Sequence, residues 1–376
     1  MRYILVFTYI FILFSCQKDK GLKIDNDIEI TDTIIIENPK SSSYMSYNNQ
    51  LKDDTLIQLN YANTNSIDLF SLNDKNHVKN ISFKSNGPQG VGNIQGFFYK
   101  NKDSIYLFND TQVVLVDDEK QKQSIYDIKG DYDEIWYPLK ISNGGMPYVD
   151  SNKIFFGKTD FEKMTSNRYY QADLLMSFDL ATKEKMQYDI HFPSTYLDNC
   201  WQMNQADFSY TFNNKDDYLV FSFTANPNIF VFSYKTNKLK EVINLEYSFE
   251  PKPINCENVD DPTRSRVHYM TNPVFKYFVY DDYRDVYYRF IKKPLSDKDA
   301  NKIKFDRKKP LYKSDYILQV FDQEFQPIAQ QELKSPNFLV HDFFVAKDGL
   351  YISLNNPLKA DFDENTLNYA KFNLKY

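Results

Sequence analysis

The chain has 376 residues, enough for one large or two ordinary domains, and 42% of them are apolar, which excludes a disordered polypeptide. The net charge is −6, and no run of Lys and Arg forms a basic stripe, so we expect no nucleic-acid partner. Tyr and Phe are abundant and Gly is scarce, a composition typical of a strand-rich core, although aromatic side chains also form sugar-binding platforms.

Residues 1–16 are typical of an export signal. Arg2 precedes an apolar run over residues 4–14, and the run ends in a lipoprotein cleavage sequence, Leu-Phe-Ser-Cys. The run is about half of the roughly 20 residues that a membrane-spanning helix needs, which disfavours a retained N-terminal anchor helix. We therefore predict that the mature chain begins at Cys16, that Cys16 carries the lipid, and that residues 17–27 form a tether.

Six similar segments follow the tether and predict a six-bladed β-propeller over residues 28–376. In each segment, strands rich in Ile, Val, Tyr and Phe alternate with short polar turns. The clearest segment has strands at 96–99, 104–108, 112–117 and 124–128, the pattern of a four-stranded antiparallel meander. In the other segments the second strand is predicted at 55–60, 153–157, 218–223, 286–291 and 350–354.

The first and last segments predict how the ring closes. The last segment ends with a strand over residues 367–374 and has three strands where the others have four. Residues 29–36 are strand-like and precede the first complete segment, so we expect them to form the outer strand of the last blade. A two-sandwich or irregular all-β fold is the alternative. One charged segment, residues 296–304, is expected to be a short helix or a loop.

The cysteines agree with export. Once Cys16 carries the lipid, Cys200 and Cys256 remain, and an oxidising envelope permits a disulfide between them. Two separate buried thiols are the alternative, because one sequence does not show that their Cβ atoms approach each other. Neither cysteine has a nearby histidine in a motif typical of a nucleophile or a zinc ligand.

Metal, cofactor and hydrolase motifs are missing from the sequence. The histidines at 77, 191, 268 and 341 form no i, i+4 pair, and there is no Gly-x-Ser-x-Gly sequence. The glycine-rich turn over residues 87–92 leads into a strand and opens no helix, which excludes a dinucleotide or phosphate loop. The sequence therefore predicts no catalytic residue, no metal site and no cofactor.

Long connections between the predicted blades carry the candidate binding residues, which are Trp136, Tyr196, Trp201, Arg264, Arg266 and His268. Arg presents a planar donor fork to a carboxylate or phosphate, and Trp or Tyr presents a stacking face to a sugar or a peptide side chain. Each residue also has a packing alternative, in which Arg holds an acid between blades and Trp seals a blade interface. Together they predict a binding face near the axis of the ring.

Two further regions carry a family resemblance. The turn over residues 85–92 with the strand after it, and residues 274–291 with their Tyr287-Tyr288-Arg289 sequence, resemble the Bacteroidota lipoproteins of domain of unknown function family 4221. That family is similar to the six-bladed propeller lipoproteins of the same bacteria. The resemblance implies a propeller fold and a cell-envelope location, and it implies no catalytic residues. Periplasmic and surface facing both stay open, because the residues just after Cys16 include one acid only.

These observations predict a lipid-anchored outer-membrane protein of the cell envelope that binds a peptide, a glycan or an envelope protein. The absence of catalytic motifs carries this hypothesis, because propellers serve both as enzymes and as scaffolds. One alternative is a hydrolase or lyase with carboxylates or His268 assembled at the propeller axis. The other is a structural subunit of an outer-membrane complex.

Overall fold

The computed structural model describes residues 26–38, 48–60, 65–128, 139–150, 152–159, 166–303 and 314–374. The predicted export signal, Cys16 and Trp136 lie outside these ranges. Within them the chain is mostly strand, and its helices are few and short.

The strands form six antiparallel blades in a ring, as predicted. Blades one, two, four and five are four-stranded meanders in chain order. The outer strand of the last blade is β1 (Asn26–Glu37). Blade one consists of β2 (Asn49–Lys52), β3 (Thr55–Leu59), β4 (Ser66–Ser71) and β5 (Asn76–Ser82). Blade two consists of β6 (Gly96–Asn101), β7 (Ser104–Phe108), β8 (Gln112–Val116) and β9 (Lys122–Asp127). Blade three consists of β10 (Leu139–Lys140), β11 (Tyr148–Asp150), β12 (Lys153–Lys158), β13 (Leu175–Asp179) and β14 (Lys185–Tyr188).

Blade four consists of β15 (Phe208–Asn213), β16 (Tyr218–Phe223), β17 (Ile229–Ser233) and β18 (Lys238–Ile243). Blade five consists of β19 (Val274–Asp281), β20 (Val286–Lys292), β21 (Tyr316–Phe321) and β22 (Pro327–Leu333). Blade six consists of β23 (Leu339–Ala346), β24 (Gly349–Ser353), β25 (Thr366–Leu374) and β1. The helices of the described ranges are α1 (Asn167–Tyr170), α2 (Pro262–Thr271) and α3 (Asp297–Lys302).

Strand β1 closes the ring in the way the sequence predicts. It pairs antiparallel with β25, from Ile28 opposite Leu374 to Glu37 opposite Thr366. Its first residues also pair in parallel with β22, the outer strand of blade five. The N-terminal strand therefore supplies the fourth strand of blade six and joins that blade to its neighbour.

Buried apolar side chains of the described residues form six clusters, one at each junction between neighbouring blades. The strand period explains this arrangement, because successive side chains point to opposite faces of a blade. In β20, Tyr288 and Phe290 pack toward blade six, whereas Tyr287 packs toward blade four. Most of the buried Tyr and Phe side chains lie in these junctions, so packing accounts for much of the aromatic content.

Helix α2 occupies a connection in which the sequence analysis predicted only a loop. Asp261 caps the helix, since its Oδ1 accepts the backbone N–H groups of Thr263 and Arg264. Pro262 stands in the first turn, where its missing N–H costs nothing. This Asp-Pro pair is a helix-start signal, and it was the one observation that could have predicted α2. The short helix expected near residue 296 is present as α3, with Ser296 as its N-cap.

Candidate ligand-binding cavity

A cavity of about 690 Å³ opens at the end of the ring where the chain enters the inner strands of blades four to six. Its walls come from the loop before β15, from α2, from the inner strands β19 and β23, and from the start of β21. Its lining includes Gln202, Asn204, Asp260, Ser265, Arg266, Tyr269, Lys276, Tyr277, Tyr316, Val340 and His341. Its volume lies within the roughly 300–1,000 Å³ of small-molecule sites.

A bulge in β19 places two consecutive side chains in the cavity. Neighbouring residues of a regular strand point to opposite faces of the sheet. Here Lys276 and Tyr277 both line the cavity, because the pairing with β20 shifts register between Lys276 and Phe278. Tyr277 has a φ of 44°, a left-handed conformation that costs a residue other than glycine about 1–2 kcal/mol. Bulges and strain of this kind are common at functional sites.

The neighbouring inner strand, β23, is irregular at the same level. Its pairing with β24 shifts between Leu339 and Phe343, and the consecutive residues Val340 and His341 both line the cavity. Two adjacent inner strands thus depart from regular pairing at one place. The cavity is built at that place.

Gly144 of blade three lies directly against Tyr277. A Cβ atom on Gly144 would lie 2.8 Å from Cδ1 of Tyr277 and 3.1 Å from Cβ of Ser209, and the first of these distances is too short for any real contact. The Gly144 carbonyl also accepts the backbone N–H of Tyr210 at 2.7 Å, which links blade three to blade four. The missing side chain is therefore what allows Tyr277 to take its place in the cavity wall.

We expect Gly144→Ala to displace the Tyr277 ring and to lower the free energy of unfolding by about 1–3 kcal/mol, the usual cost of overpacking. Urea denaturation measures this change. A double-mutant cycle provides the control, because Gly144→Ala should cost less in a Tyr277→Ala background, where the ring is gone. An equal cost in both backgrounds would show that the clash does not involve the ring.

Lys276 brings a positive charge into the cavity. Its Nζ lies 5.9 Å from the ring centroid of Tyr269 and 5.8 Å from that of Tyr277. Within the part of the chain that the structure describes, no carboxylate oxygen lies within 4.0 Å of this amine. Burial acts to lower the pKa of Lys276, but its interactions with Tyr269, Tyr277 and Tyr316 outweigh this and hold the pKa well above its ordinary value. Lys276 is therefore a cation at neutral pH.

Two neighbouring basic groups respond to that charge. Lys292 is buried, donates from Nζ to the carbonyl of Asn272 at 2.7 Å, and lies 4.7 Å from the ring centroid of Tyr269. Burial and then the charge of Lys276 lower the pKa of Lys292 to about 7. The same two effects lower the pKa of His341 to about 3, so its imidazole is neutral.

The disulfide between Cys200 and Cys256 lies beside the cavity. The two Cα atoms are 5.2 Å apart, and the carbonyl of Cys200 accepts the backbone N–H of Ile254 at 2.9 Å. Cys200 is followed by the loop that carries Gln202, and Cys256 precedes α2. The disulfide thus ties two walls of the cavity together.

Residues 15–331 match the family model described as Domain of unknown function (DUF4221). The chain belongs to this family. A DUF4221 member from Bacteroides vulgatus ATCC 8482 has a crystal structure with a TM-score of 0.79 and 20% identity, covering 93% of this chain and 99% of that one. A Bacteroides fragilis NCTC 9343 protein thought to be exported has a TM-score of 0.54 and 9% identity, covering 93% and 96%. No curated protein matches the chain.

These likenesses show the six-bladed fold of the DUF4221 protein and leave its site to be argued from its own residues. Both structures are under 25% identical to the chain. Among the described helices, none has the length and apolar character needed to cross a membrane.

Of the binding residues predicted on α2, Arg266 lines the cavity of the DUF4221 protein. Arg264 does not, since its side chain is 67% exposed and pairs with Asp261. His268 is also absent from the cavity wall. Burial lowers the pKa of His268, while the nearby backbone of residues 252 and 253 acts to raise it.

Tyr196 and Trp201 do not face the cavity, contrary to the expectation that they line an opening at the axis. Both belong to the aromatic cluster between blades three and four, where they are 0% and 3% exposed and their ring centroids lie 5.1 Å apart. The Tyr196 hydroxyl donates to the carbonyl of Gln205 and accepts the N–H of Ala225. Their positions match the packing alternative.

The sequence analysis missed most of the cavity wall, namely Tyr269, Lys276, Tyr277, Tyr316 and His341. One signal was available. Lys276 interrupts an otherwise apolar run at the start of β19. Because a lysine is rarely buried without a partner, its presence in such a strand indicates a special environment. The others carry no such mark, because Tyr is common throughout the strands.

Proposed function

We propose that this DUF4221 protein is an exported, lipid-anchored binding protein of the outer membrane, whose propeller takes a small molecule, or the end of a peptide or glycan, in the cavity beside α2. The observation that carries the proposal is the cavity at the two irregular inner strands. The strained conformation of Tyr277 lowers stability, and a binding role accounts for its presence there.

The envelope location is supported by three observations. The N-terminal residues have the pattern of a lipoprotein signal that ends at Cys16. The Cys200–Cys256 disulfide fits an oxidising compartment. The similar Bacteroides fragilis protein is thought to be exported.

The chemistry of the cavity favours binding over catalysis. Among the described residues of the wall, His341 is the only histidine, and a pKa of about 3 makes it a weak base at neutral pH. Asp260 is the only carboxylate among the described lining residues, and it is exposed. A hydrolase or lyase with paired carboxylates at this site is therefore poorly supported.

A thermal-shift screen of the full chain against peptides and sugars tests the proposal. A ligand present at about 100 times its Kd should stabilise the protein by about 2.7 kcal/mol and raise its melting temperature. Tyr269→Ala should abolish the shift, because it removes a ring from the cavity wall. Tyr283→Ala is the matched control, since Tyr283 is exposed in the turn between β19 and β20 and should leave the shift unchanged.

Two results would contradict the proposal. A shift that survives Tyr269→Ala would place binding elsewhere on the propeller. A screen without any shift would favour a structural subunit of an envelope complex, and partner proteins would then be the next subject.

A further inference from the structure

We propose that the ligand of this cavity is a small organic anion whose carboxylate or phosphate group lies against Lys276. This inference rests on the proposed binding function and adds the chemical class of the ligand. It depends on the charge of Lys276, on the bulge that positions it, and on the size and lining of the cavity.

Lys276 differs in its surroundings from the other lysines of blades five and six that the structure shows with a partner. Lys293 and Lys371 pair with the carboxylates of Glu332 and Asp348, and Lys292 donates to backbone carbonyls. Lys276 contacts two tyrosine rings, and among the described residues no carboxylate oxygen lies within 4.0 Å of its Nζ. Asp207 acts on it electrostatically from a greater distance. The surrounding tyrosines favour the charged form of Lys276, but the described part of the chain gives its ammonium group no direct ion pair. The carboxylate or phosphate group of a ligand in the cavity would form that ion pair.

The bulge in β19 makes this charge available to a ligand. With regular pairing, one of Lys276 and Tyr277 would point to the far face of the strand. The left-handed φ of Tyr277 brings both to the cavity, with the ring beside the ammonium group. The backbone is therefore distorted at the residue next to the one that carries the charge, which is the pattern expected of a ligand site.

A second cation faces the same space. Arg266 of α2 lines the cavity, and its guanidinium is the side chain best suited to an oxyanion, because it donates two parallel hydrogen bonds. The neutral imidazole of His341 adds no charge. Asp260, the one acid among the described lining residues, is exposed and lies in the chain just before α2. The cavity wall thus carries two cations, Lys276 on the inner strand β19 and Arg266 on α2.

The size and the lining favour an organic anion over a bare inorganic ion. A volume of about 690 Å³ is many times the share of one water molecule, about 30 Å³. Gln202, Asn204 and Ser265 offer hydrogen bonds to hydroxyl groups, and the rings of Tyr269 and Tyr316 offer flat faces. A polar molecule with one acidic group fits this combination.

Calorimetric titration of the full chain with matched pairs of probes tests the inference. The pairs are glucuronate with glucose, glycerol 3-phosphate with glycerol, and 4-hydroxybenzoate with 4-hydroxybenzyl alcohol; inorganic phosphate is titrated alone. We expect the acid of at least one pair to bind at least tenfold tighter than its neutral partner. Lys276→Gln should remove that preference and Lys276→Arg should keep it. Lys79→Gln, on blade one and in a surface pair with Asp118 of blade two, should change nothing.

The other outcomes would contradict the anionic ligand, its organic class or the binding function. Equal binding of the acid and the neutral partner, or a preference that survives Lys276→Gln, overturns the anion and leaves the binding function standing. Binding of inorganic phosphate without any organic acid overturns the organic class. If neither member of any pair binds, the inference fails together with the proposed function. If Lys276→Gln does not fold, Arg266→Gln is measured in its place. It should weaken the binding of the acid and leave the binding of the neutral partner unchanged.

Discussion

Replacing both Cys200 and Cys256 by Ser is expected to lower the free energy of unfolding by about 4 kcal/mol. The two cysteines are 56 residues apart in the chain, and closing a loop of that length removes conformational entropy from the unfolded state. Chemical denaturation under oxidising conditions measures the loss as a lower midpoint. The value is an upper bound, because residual structure in the unfolded chain reduces the entropic gain.

The reduced wild type serves as the control for this variant. Dithiothreitol should bring the wild type to the midpoint of the double variant and should leave the double variant unchanged. Loss of the disulfide should also loosen the cavity wall, since Gln202 and α2 follow the two cysteines that it joins. A double variant that unfolds at the wild-type midpoint would show that the backbone pairing of Cys200 with Ile254 holds these segments without the covalent bond.

The blades were predictable because most of their strands have a clear sequence pattern of apolar residues bounded by polar turns. The second strands, such as β20 and β24, are buried on both faces and read as apolar runs bounded by turns. The first strands were harder to predict. The first strand of blade one, β2, has the sequence Asn-Gln-Leu-Lys, and blade three splits its first strand into β10 and β11. Neither has the alternation that marks a strand.

The cavity was not predictable from the same patterns, because closure of the ring creates it. Arg266 on α2, Lys276 on β19 and His341 on β23 are distant in sequence and meet only when three blades stand side by side. The bulges that turn these side chains inward are also invisible in sequence, since a bulge needs one extra residue and no special residue type at Tyr277. Of the candidate residues that the sequence analysis named in the connection between blades four and five, Arg266 lines the cavity.

A second feature of the ring axis also lies beyond sequence analysis. Asp342 of β23 is 0% exposed, and its Oδ1 accepts hydrogen bonds from Asn49 Nδ2 at 2.5 Å and from the Tyr369 hydroxyl at 3.1 Å. The backbone N–H of Asn49 in turn donates to Oδ1 of Asn143 at 2.6 Å. This network joins the inner strands of blades one and six to the turn before β11 of blade three. Burial raises the pKa of Asp342 to about 7, although its donors act in the opposite direction.

This raised pKa makes stability fall as the pH rises. The unfolded chain releases the proton of Asp342 near its ordinary pKa of 3.8, whereas the folded protein keeps it up to about pH 7. Between these values the folded state binds one more proton, so the contribution is fully present below pH 3.8 and is lost as the pH rises through 7. A shift of about three pKa units corresponds to at most about 4 kcal/mol.

Asp342→Asn should therefore remove a pH-dependent loss of stability. Its amide resembles the protonated carboxyl group in shape and carries no charge, so we expect it to match the wild type at pH 4 and to exceed it by up to about 4 kcal/mol at pH 8. Urea denaturation at several pH values measures the difference. Asp179→Asn gives a control of opposite sign, because the backbone N–H groups of Thr182 and Ala181 hold the pKa of Asp179 below its ordinary value. The free energy of unfolding of the wild type should therefore rise with pH relative to that of Asp179→Asn. If the difference between wild type and variant changes with pH in the same direction for Asp342→Asn and Asp179→Asn, Asp342 does not retain its proton.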